Sequence, residues 1–231
     1  MPNSLEEIYE DKIRRRSVEL RLNPVGGEFD IKHLKEIHRR LFQDLPKGYQ
    51  SIHAGEFRSY VGENLTRAKD RDWRPRLEMI VRVTYSPMDQ NSVDELEKIL
   101  KSVNPKRFSE LNKAMFTNTI ADLYARLDYI HPFHEGNSRA LREFTYELAK
   151  ASGFDLEWKN IDKKENGRNL LYIARDLAVI KIIEDRADAQ SKEQLNAMFQ
   201  PYYESQISLK SLLSEAISRD RLQSRDNGYE R

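Results

Sequence analysis

Twelve consecutive residues, His131-Pro-Phe-His-Glu-Gly-Asn-Ser-Arg-Ala-Leu-Arg142, gather side chains suited to work on a polyphosphate. His131 is a candidate general base, because an imidazole with an ordinary pKa of about 6.5 takes a proton from an attacking hydroxyl near neutral pH. Glu135 is a candidate ligand for Mg²⁺ bridging two phosphates, since magnesium favours one or two carboxylates together with phosphate oxygens. Arg139 and Arg142 lie three apart, so on a helix both project from neighbouring faces of one turn and can grip anionic oxygens. The parts fit a transfer from a nucleotide.

Two helices must hold them. Ile120, Leu123, Leu127 and Ile130 recur at helical spacing, which predicts a long helix ending at Pro132. Leu141, Phe144 and Leu148 predict a second helix from about Asn137 or Ser138, with Gly153 just past its end. The loop 131–136 then lies before a helix N-terminus, where free N–H groups and the positive end of the dipole make an anion site. Gly136 permits close approach of the backbone, and Asn137 tolerates a left-handed turn and can cap. Taken singly each residue has an ordinary role: a helix-end histidine, a core Phe133, a surface ion pair, a Gly-Asn turn. A helical domain has no structural need for the whole set in this order.

The remaining 219 or so positions exclude several alternatives. Among 231 residues, 39 Lys+Arg nearly cancel 38 Asp+Glu, so the whole chain carries no field that argues for nucleic acid. No cysteine is present, which removes disulfides, thiolate nucleophiles and Cys-ligated zinc. His131 and His134 beside Glu135 lack the spacing of the helical zinc motifs, and Pro132 forbids an ordinary helix interior. No apolar run approaches the roughly 20 residues of a membrane helix. The opening Met-Pro-Asn-Ser-Leu-Glu-Glu-Ile has no apolar signal core. The expectation is a cytoplasmic protein, with delivery into a host cell left open, and with neither membrane nor nucleic acid as partner.

Elsewhere, Asp11–Arg16 reads as a solvated helix or arm, and Asn23-Pro24-Val25-Gly26-Gly27 as a breaker. Asp30 is a plausible N-cap for a helix carrying Ile31, Leu34, Ile37, Leu41 and Phe42, ended by Pro46-Lys47-Gly48. Phe57–Val61 and Ile80–Tyr85 predict two short strands. The basic stretch between them (Arg67, Lys69, Arg71, Arg74, Arg76) reads as a solvated loop rather than a phosphate or nucleic-acid site. Ser92-Val-Asp-Glu95 has capping-box form before a helix broken at Pro105. Residues 165–185 are helical, and from Ser191 the chain is helical and charged, with a joint at Pro201 and a frayed Asp226–Arg231.

The central run closely resembles the signature of the Fic family, H-P-F-x-[D/E]-G-N-G-R-x-x-R, and departs from it only at Ser138, where glycine is usual. Upstream, Gly27-Glu-Phe-Asp, His33-Leu, Ile37-His38, Leu41-Phe42 and Ala54-Gly-Glu-Phe-Arg58 resemble the family's early helix and the approach to its flap, with His53 where a Trp is usual. The resemblance covers about residues 26–185. It implies an all-α, mainly helical Fic fold with a small β-hairpin flap within 57–87. The Fic domain would run from 26 to 190, between a charged arm or helix at 1–25 and a helical extension at 191–231.

The activity implied is protein AMPylation: transfer of AMP from ATP to a Tyr, Thr or Ser hydroxyl of a target protein, with release of pyrophosphate. By the same resemblance His131 is the base, Phe133 the loop anchor and Glu135 the Mg²⁺ ligand. Gly136, Asn137 and Ser138 form the phosphate nest, and Arg139 and Arg142 bind the β- and γ-phosphates. Ser138 either crowds those phosphates or adds a hydrogen bond to them. The target would dock at the flap by strand addition. Many members are inhibited by a helix carrying [S/T]-x-x-x-E-[G/N], best matched here by Ser211–Ala216, which makes Glu215 the candidate inhibitory carboxylate. A small antitoxin-like protein acting in trans is the other route. Two alternatives stand beside AMP transfer. One is a Doc-like kinase, whose branch typically has Lys after Gly-Asn. The other is a silent binding module blocked by Ser138. Members of the family include bacterial toxins and secreted effectors.

Overall fold

The helix that carries His131 begins where Asn112 accepts the Met115 N–H and runs from Lys113 to Ile130 (α5). Its apolar face, Phe116, Ile120, Leu123, Leu127 and Ile130, is almost fully buried, as the spacing predicts. The computed structural model describes residues 4–47, 49–60, 67–74, 79–163, 166–203 and 207–219. The other helices are α1 (Leu5–Leu22), α2 (Ile31–Phe42), α3 (Gln90–Lys101), α4 (Pro105–Ser109), α6 (Asn137–Ala151), α7 (Lys159–Asp162), α8 (Gly167–Arg186), α9 (Ala189–Tyr203) and α10 (Leu209–Ala216), of which α3, α6, α8 and α10 pack directly on α5. Among the described residues no helix is long and apolar enough to cross a membrane.

Local chemistry explains most helix starts. Ser4 and Glu7 form a reciprocal capping box ahead of α1, and Asp30 accepts the His33 N–H to open α2. The capping box read at Ser92 is displaced: Asp89 is the cap, accepting both the N–H and the hydroxyl of Ser92 (2.8 and 2.7 Å). With its hydroxyl spent on Asp89, Ser92 becomes the third residue of the helix. Pro105 opens α4 rather than only closing α3, because a missing N–H costs nothing at a first helical position. α2 ends at Phe42, before the proline, and Gly48 lies outside the described residues. Pro201 lies inside α9, two residues from its end. The tail from Asp226 lies outside the described residues.

The strands are not all where the sequence places them. The hairpin pairs β1 (Arg67–Asp72) with β2 (Ile80–Tyr85) antiparallel, in register Arg67↔Tyr85, Lys69↔Val83, Arg71↔Val81. β1 thus takes in Arg67, Lys69 and Arg71 of the basic stretch read as a loop; Arg74 follows the strand and Arg76 lies outside the described residues. Opposed residues share a face, so Arg67, Lys69 and Arg71 project on the same side as Val81, Val83 and Tyr85, which are buried against α8 and α9. Trp73 is buried there too, its Nε1 donating to Asp176 (3.1 Å). Phe57 and Arg58 pair instead with the signature loop, through a bridge from Phe57 to Phe133 and Arg58 N–H to the Pro132 carbonyl (2.9 Å). Val61 lies outside the described residues. A second small ladder, β3 (Phe154–Leu156) with β4 (Ile217–Arg219), is too short to be read from sequence and ties the end of α10 to the exit of α6.

Arg58 fixes the hairpin to the site. Its buried guanidinium donates to the carbonyls of His131 (2.7 Å), Ile130 (3.2 Å) and Ser86, while Ser86 Oγ donates to Ile130 (2.8 Å). Burial and the nearby Arg67 charge lower its pKa to about 10, so it remains charged at neutral pH. Arg58→Met leaves the buried His131 and Ser86 carbonyls without their side-chain donor. It is expected to lower the free energy of unfolding by about 3 kcal/mol in urea denaturation with an unchanged m-value.

Candidate active site

α5 ends in a left-handed turn at His131 (φ 49°, ψ 56°), an uncommon conformation for a residue with a Cβ. Phe133 then turns inward, fully buried, stacked on His38 (centroids 3.8 Å apart) and edge-on to Phe57. Asn137 does not cap α6 as its type predicts. Its amide spans the loop, accepting the Phe133 N–H (2.9 Å) and donating to the Phe133 carbonyl (2.7 Å). Gly136 takes the left-handed turn instead (φ 83°), and a Cβ there would sit 2.5 Å from the Phe42 ring. His38 holds the far side: its Nδ1 accepts the Gly55 N–H and its Nε2 reaches the Glu135 carbonyl (3.0 Å). That pattern assigns the neutral Nε2–H tautomer, consistent with burial lowering its pKa to about 4.

These turns converge on a cavity of about 500 Å³, lined by His131, Glu135, Gly136, Asn137, Ser138, Arg139 and Arg142 from the signature. Lys69, Arg71, Arg168, Tyr172, Arg175 and Asp162 complete much of the wall. Cations outnumber carboxylates there although the whole chain is nearly neutral, so the field is focused at this cleft. No side chain caps α6, which leaves the first-turn N–H groups without a side-chain partner at the cavity floor. An adjoining cavity of about 250 Å³ shares Arg71 and Tyr172 and is lined by Trp73 and Asp176.

His131 is buried with its ring stacked on Tyr85 (centroids 3.9 Å, 25°). Among the described residues neither ring nitrogen has a hydrogen-bond partner, and Nδ1 lies 3.6 Å from Asp128 Oδ1. Burial lowers its pKa to about 4 against the support of Asp128, with the charges of Lys69 and Arg175 adding to the fall. At neutral pH the ring is unprotonated and able to accept a proton. Glu135 meets Lys69 through both oxygens (2.9 and 3.0 Å) and Arg67 through one (3.0 Å). Burial opposes its ionisation, but these cations hold its pKa below the usual carboxylate range.

The two signature arginines do not point free into the cavity. Arg139 pairs with Glu10 of α1 (2.6 Å) and Arg142 with Asp162 of α7 (2.5 Å). A phosphate must displace these partly exposed pairs, each of which holds on by no more than about 1 kcal/mol. Glu215 is exposed on α10 and does not line the cavity, so the carboxylate at Arg142 is Asp162. Ser138 lines the cavity with its Oγ accepting from Arg175 Nη1 (2.7 Å), which borders the same cavity. Arg67, Lys69, Asp128 and Arg175 were not singled out from sequence as site residues. The period-two basic residues of β1 and the i, i+3 relation of Asp128 to His131 were the available signals.

As for metal, the described residues contain no cluster of three His, Asp or Glu, so a cage made by protein alone is absent. Glu135 beside an anion nest nevertheless fits Mg²⁺ arriving with a polyphosphate, because the remaining ligands would be phosphate oxygens and water. A cation there would take the carboxylate oxygens that Lys69 and Arg67 now hold.

Known proteins resemble this chain in sequence and in fold. The sequence profile of the Fic/DOC family matches residues 28–149. The protein adenylyltransferase VbhT of Bartonella schoenbuchensis is 30% identical over 156 residues, 66% of this chain and 28% of that protein. The "probable protein adenylyltransferase Fic" of Escherichia coli is 26% identical over 195 residues, 82% of this chain and 84% of the relative. The chain thus spans under a third of VbhT but most of the E. coli protein. The fold is similar to that of BepC of Bartonella tribocorum, a VirB-translocated effector solved with bound AMPPNP (TM-score 0.62, 22% identity, 96% of this chain and 90% of that one). It is also similar to the N-terminal Fic domain of a Bep effector of Bartonella quintana with bound ADP (TM-score 0.62, 20% identity, 97% and 90%).

The burial of His131 and His38 sets a pH dependence. A folded pKa below the unfolded one contributes stability that is present above about pH 6.5 and is lost as pH falls toward about 4. Asp176, raised to about 6 by burial, works in the opposite sense: its contribution is present at acid pH and lost as pH rises through 6. In ¹⁵N NMR of the folded protein, the His131 imidazole is expected to stay neutral from pH 7.5 to 5.5. A titration centred near 6.5 would contradict the buried site.

Proposed function

This chain belongs to the Fic/DOC family, and from that premise we propose that it is a protein adenylyltransferase acting on a hydroxyl of another protein. One observation carries the reading. An unprotonated His131 with a bare Nε2 and an uncapped helix start flanked by Arg139 and Arg142 open into a single cavity.

ATP lies with its β- and γ-phosphates toward Arg139 and Arg142, which exchange Glu10 and Asp162 for phosphate oxygens. The N–H groups after Gly136 face the phosphate chain. Glu135 would hold an accompanying Mg²⁺, which when bound would supply positive charge against the developing negative charge of the leaving group. The target hydroxyl oxygen forms a bond to the α-phosphorus, and the bond from that phosphorus to the bridging oxygen of pyrophosphate breaks. The hydroxyl proton passes to His131 Nε2. Lys69 and Arg67, displaced from Glu135, remain on the flap strand near the same charge. β1 has one ladder partner among the described residues, β2, and its other edge offers backbone groups to an extended target segment.

Ser138 does not speak for a silent module, since its hydroxyl is occupied by Arg175 rather than by the nest. The kinase alternative has no feature in its favour at the position after Asn137, where lysine is replaced by Ser138 and then Arg139. Glu215 is unsupported as an inhibitory residue by its position, and inhibition in trans by a small antitoxin-like protein rests on the resemblance alone.

Incubation with cell lysate, Mg²⁺ and ATP labelled at the α- or the γ-phosphate tests the reading. Label is expected in protein from the α-position only, to be lost in His131→Ala and reduced by roughly 10²-fold in Arg142→Ala, the cost typical of removing one charge-stabilising donor. Transfer of the γ-label would instead establish a kinase.

A further inference from the structure

The residues behind His131 form a chain of contacts that the signature does not include. Asp128 stands one turn before His131 on α5 and is 1% exposed. Arg175, from the middle of α8 and 3% exposed, grips both its oxygens: Nε to Oδ2 at 3.0 Å and Nη2 to Oδ1 at 2.8 Å. The remaining donor of the same guanidinium, Nη1, reaches Ser138 Oγ at the start of α6. On the other side, the left-handed turn at His131 swings the ring back so that Nδ1 faces Asp128 Oδ1.

We propose that Asp128 is the positioning residue of the base, held in place by Arg175, and that Ser138 is the anchor that ties this pair to the phosphate nest. The proposal rests on the reading of His131 as base. A carboxylate facing Nδ1 selects the tautomer with the proton on Nδ1 and leaves the Nε2 lone pair for the incoming hydroxyl. It also faces the positive charge that the ring acquires when it takes the proton. The separation of 3.6 Å is longer than a hydrogen bond, and such contacts in unliganded sites commonly shorten when substrate binds. Burial opposes the ionisation of Asp128, but the charge and hydrogen bonds of Arg175 together with the facing His131 hold its pKa below the usual carboxylate range. An ion pair that merely joined α5 to α8 would not need its third donor on the first turn of α6. The fork therefore sets the base and the nest in one rigid unit. Other groups facing the ring are the Tyr85 ring from β2, with Lys69 of β1 and Arg175 acting at longer range.

Asp128→Asn separates this role from a structural one. ¹⁵N NMR of the imidazole reads the tautomer without any transfer assay. In the parent protein His131 is expected to carry its proton on Nδ1, and in D128N that preference is lost and the ring becomes harder to protonate. In the α-labelled ATP assay, D128N is expected to lower kcat by about 10- to 100-fold, the cost typical of losing an orienting partner. ATP affinity measured by calorimetry should stay within about twofold. If an unpaired Arg175 prevents folding, the neutral pair D128N/R175Q carries the same test. Ser138→Ala, which frees one donor of Arg175, is expected to lower kcat by a smaller factor with the tautomer retained. An unchanged tautomer and kcat in D128N, with His131→Ala inactive, would overturn the positioning role and leave the base in place. Full activity in His131→Ala would instead overturn the underlying reading.

Discussion

The C-terminal end of α5 is the point on which the site depends. A helix end leaves carbonyls without partners and carries the negative end of the dipole. Here these carbonyls are buried, and the guanidinium of Arg58 satisfies those of Ile130 and His131 while also holding Ser86 at the exit of the hairpin. One buried cation thereby fixes three pieces of chain: the segment before the flap, the flap's second strand, and the turn that carries His131. Among the described residues its partners are carbonyl dipoles rather than carboxylates. A neutral side chain of similar length would fill the space without satisfying the oxygens.

Charge balance is the second organising constraint. Most site groups that bear charge in this state are already paired within the chain: Glu135 with Lys69 and Arg67, Arg139 with Glu10, Arg142 with Asp162, Asp128 with Arg175. The first three pairs are partly exposed, so water screens them and a charged ligand can take either partner. The last is sealed, and breaking it would leave an uncompensated charge in the interior. The molecule thus divides its ion pairs into exchangeable ones lining the cavity and a permanent one behind it. His131, uncharged and buried, lies at the boundary between the two.

Much of this frame was legible in sequence because it is local. α2, α5 and α6 announce themselves by apolar stripes, and the loop between α5 and α6 by a proline, a glycine and the helix that follows. What escaped is what spans distance or breaks a local rule. The segment Arg67-Ala-Lys-Asp-Arg-Asp72 alternates with period two, but in charge rather than hydropathy, so it reads as a solvated loop until its partner strand is known. Asn137 has the residue type of a cap yet serves the loop behind it, since Gly136 already supplies the turn. Arg175 lies in an amphipathic helix where any arginine is expected to be solvent-facing, and its partner is 47 residues away. Glu10 and Arg139 are 129 residues apart. No pattern within a window reaches that far.

Those separations bear on how the cavity comes into being. Arg58 meets the His131 carbonyl across 73 residues, and Arg67 meets Glu135 across 68. Contacts so remote in sequence have to meet the entropy of closing long loops before any of them is rewarded, which makes them late events on a folding route. Asp128 meets its counter-charge only when α8 docks with Arg175, so the wall behind His131 closes only when that helix arrives. The left-handed turn at His131 is held by the same tertiary contacts rather than by local preference. The geometry of the candidate site is accordingly a property of the fully closed chain, and a partly folded species that retains every helix would still lack it.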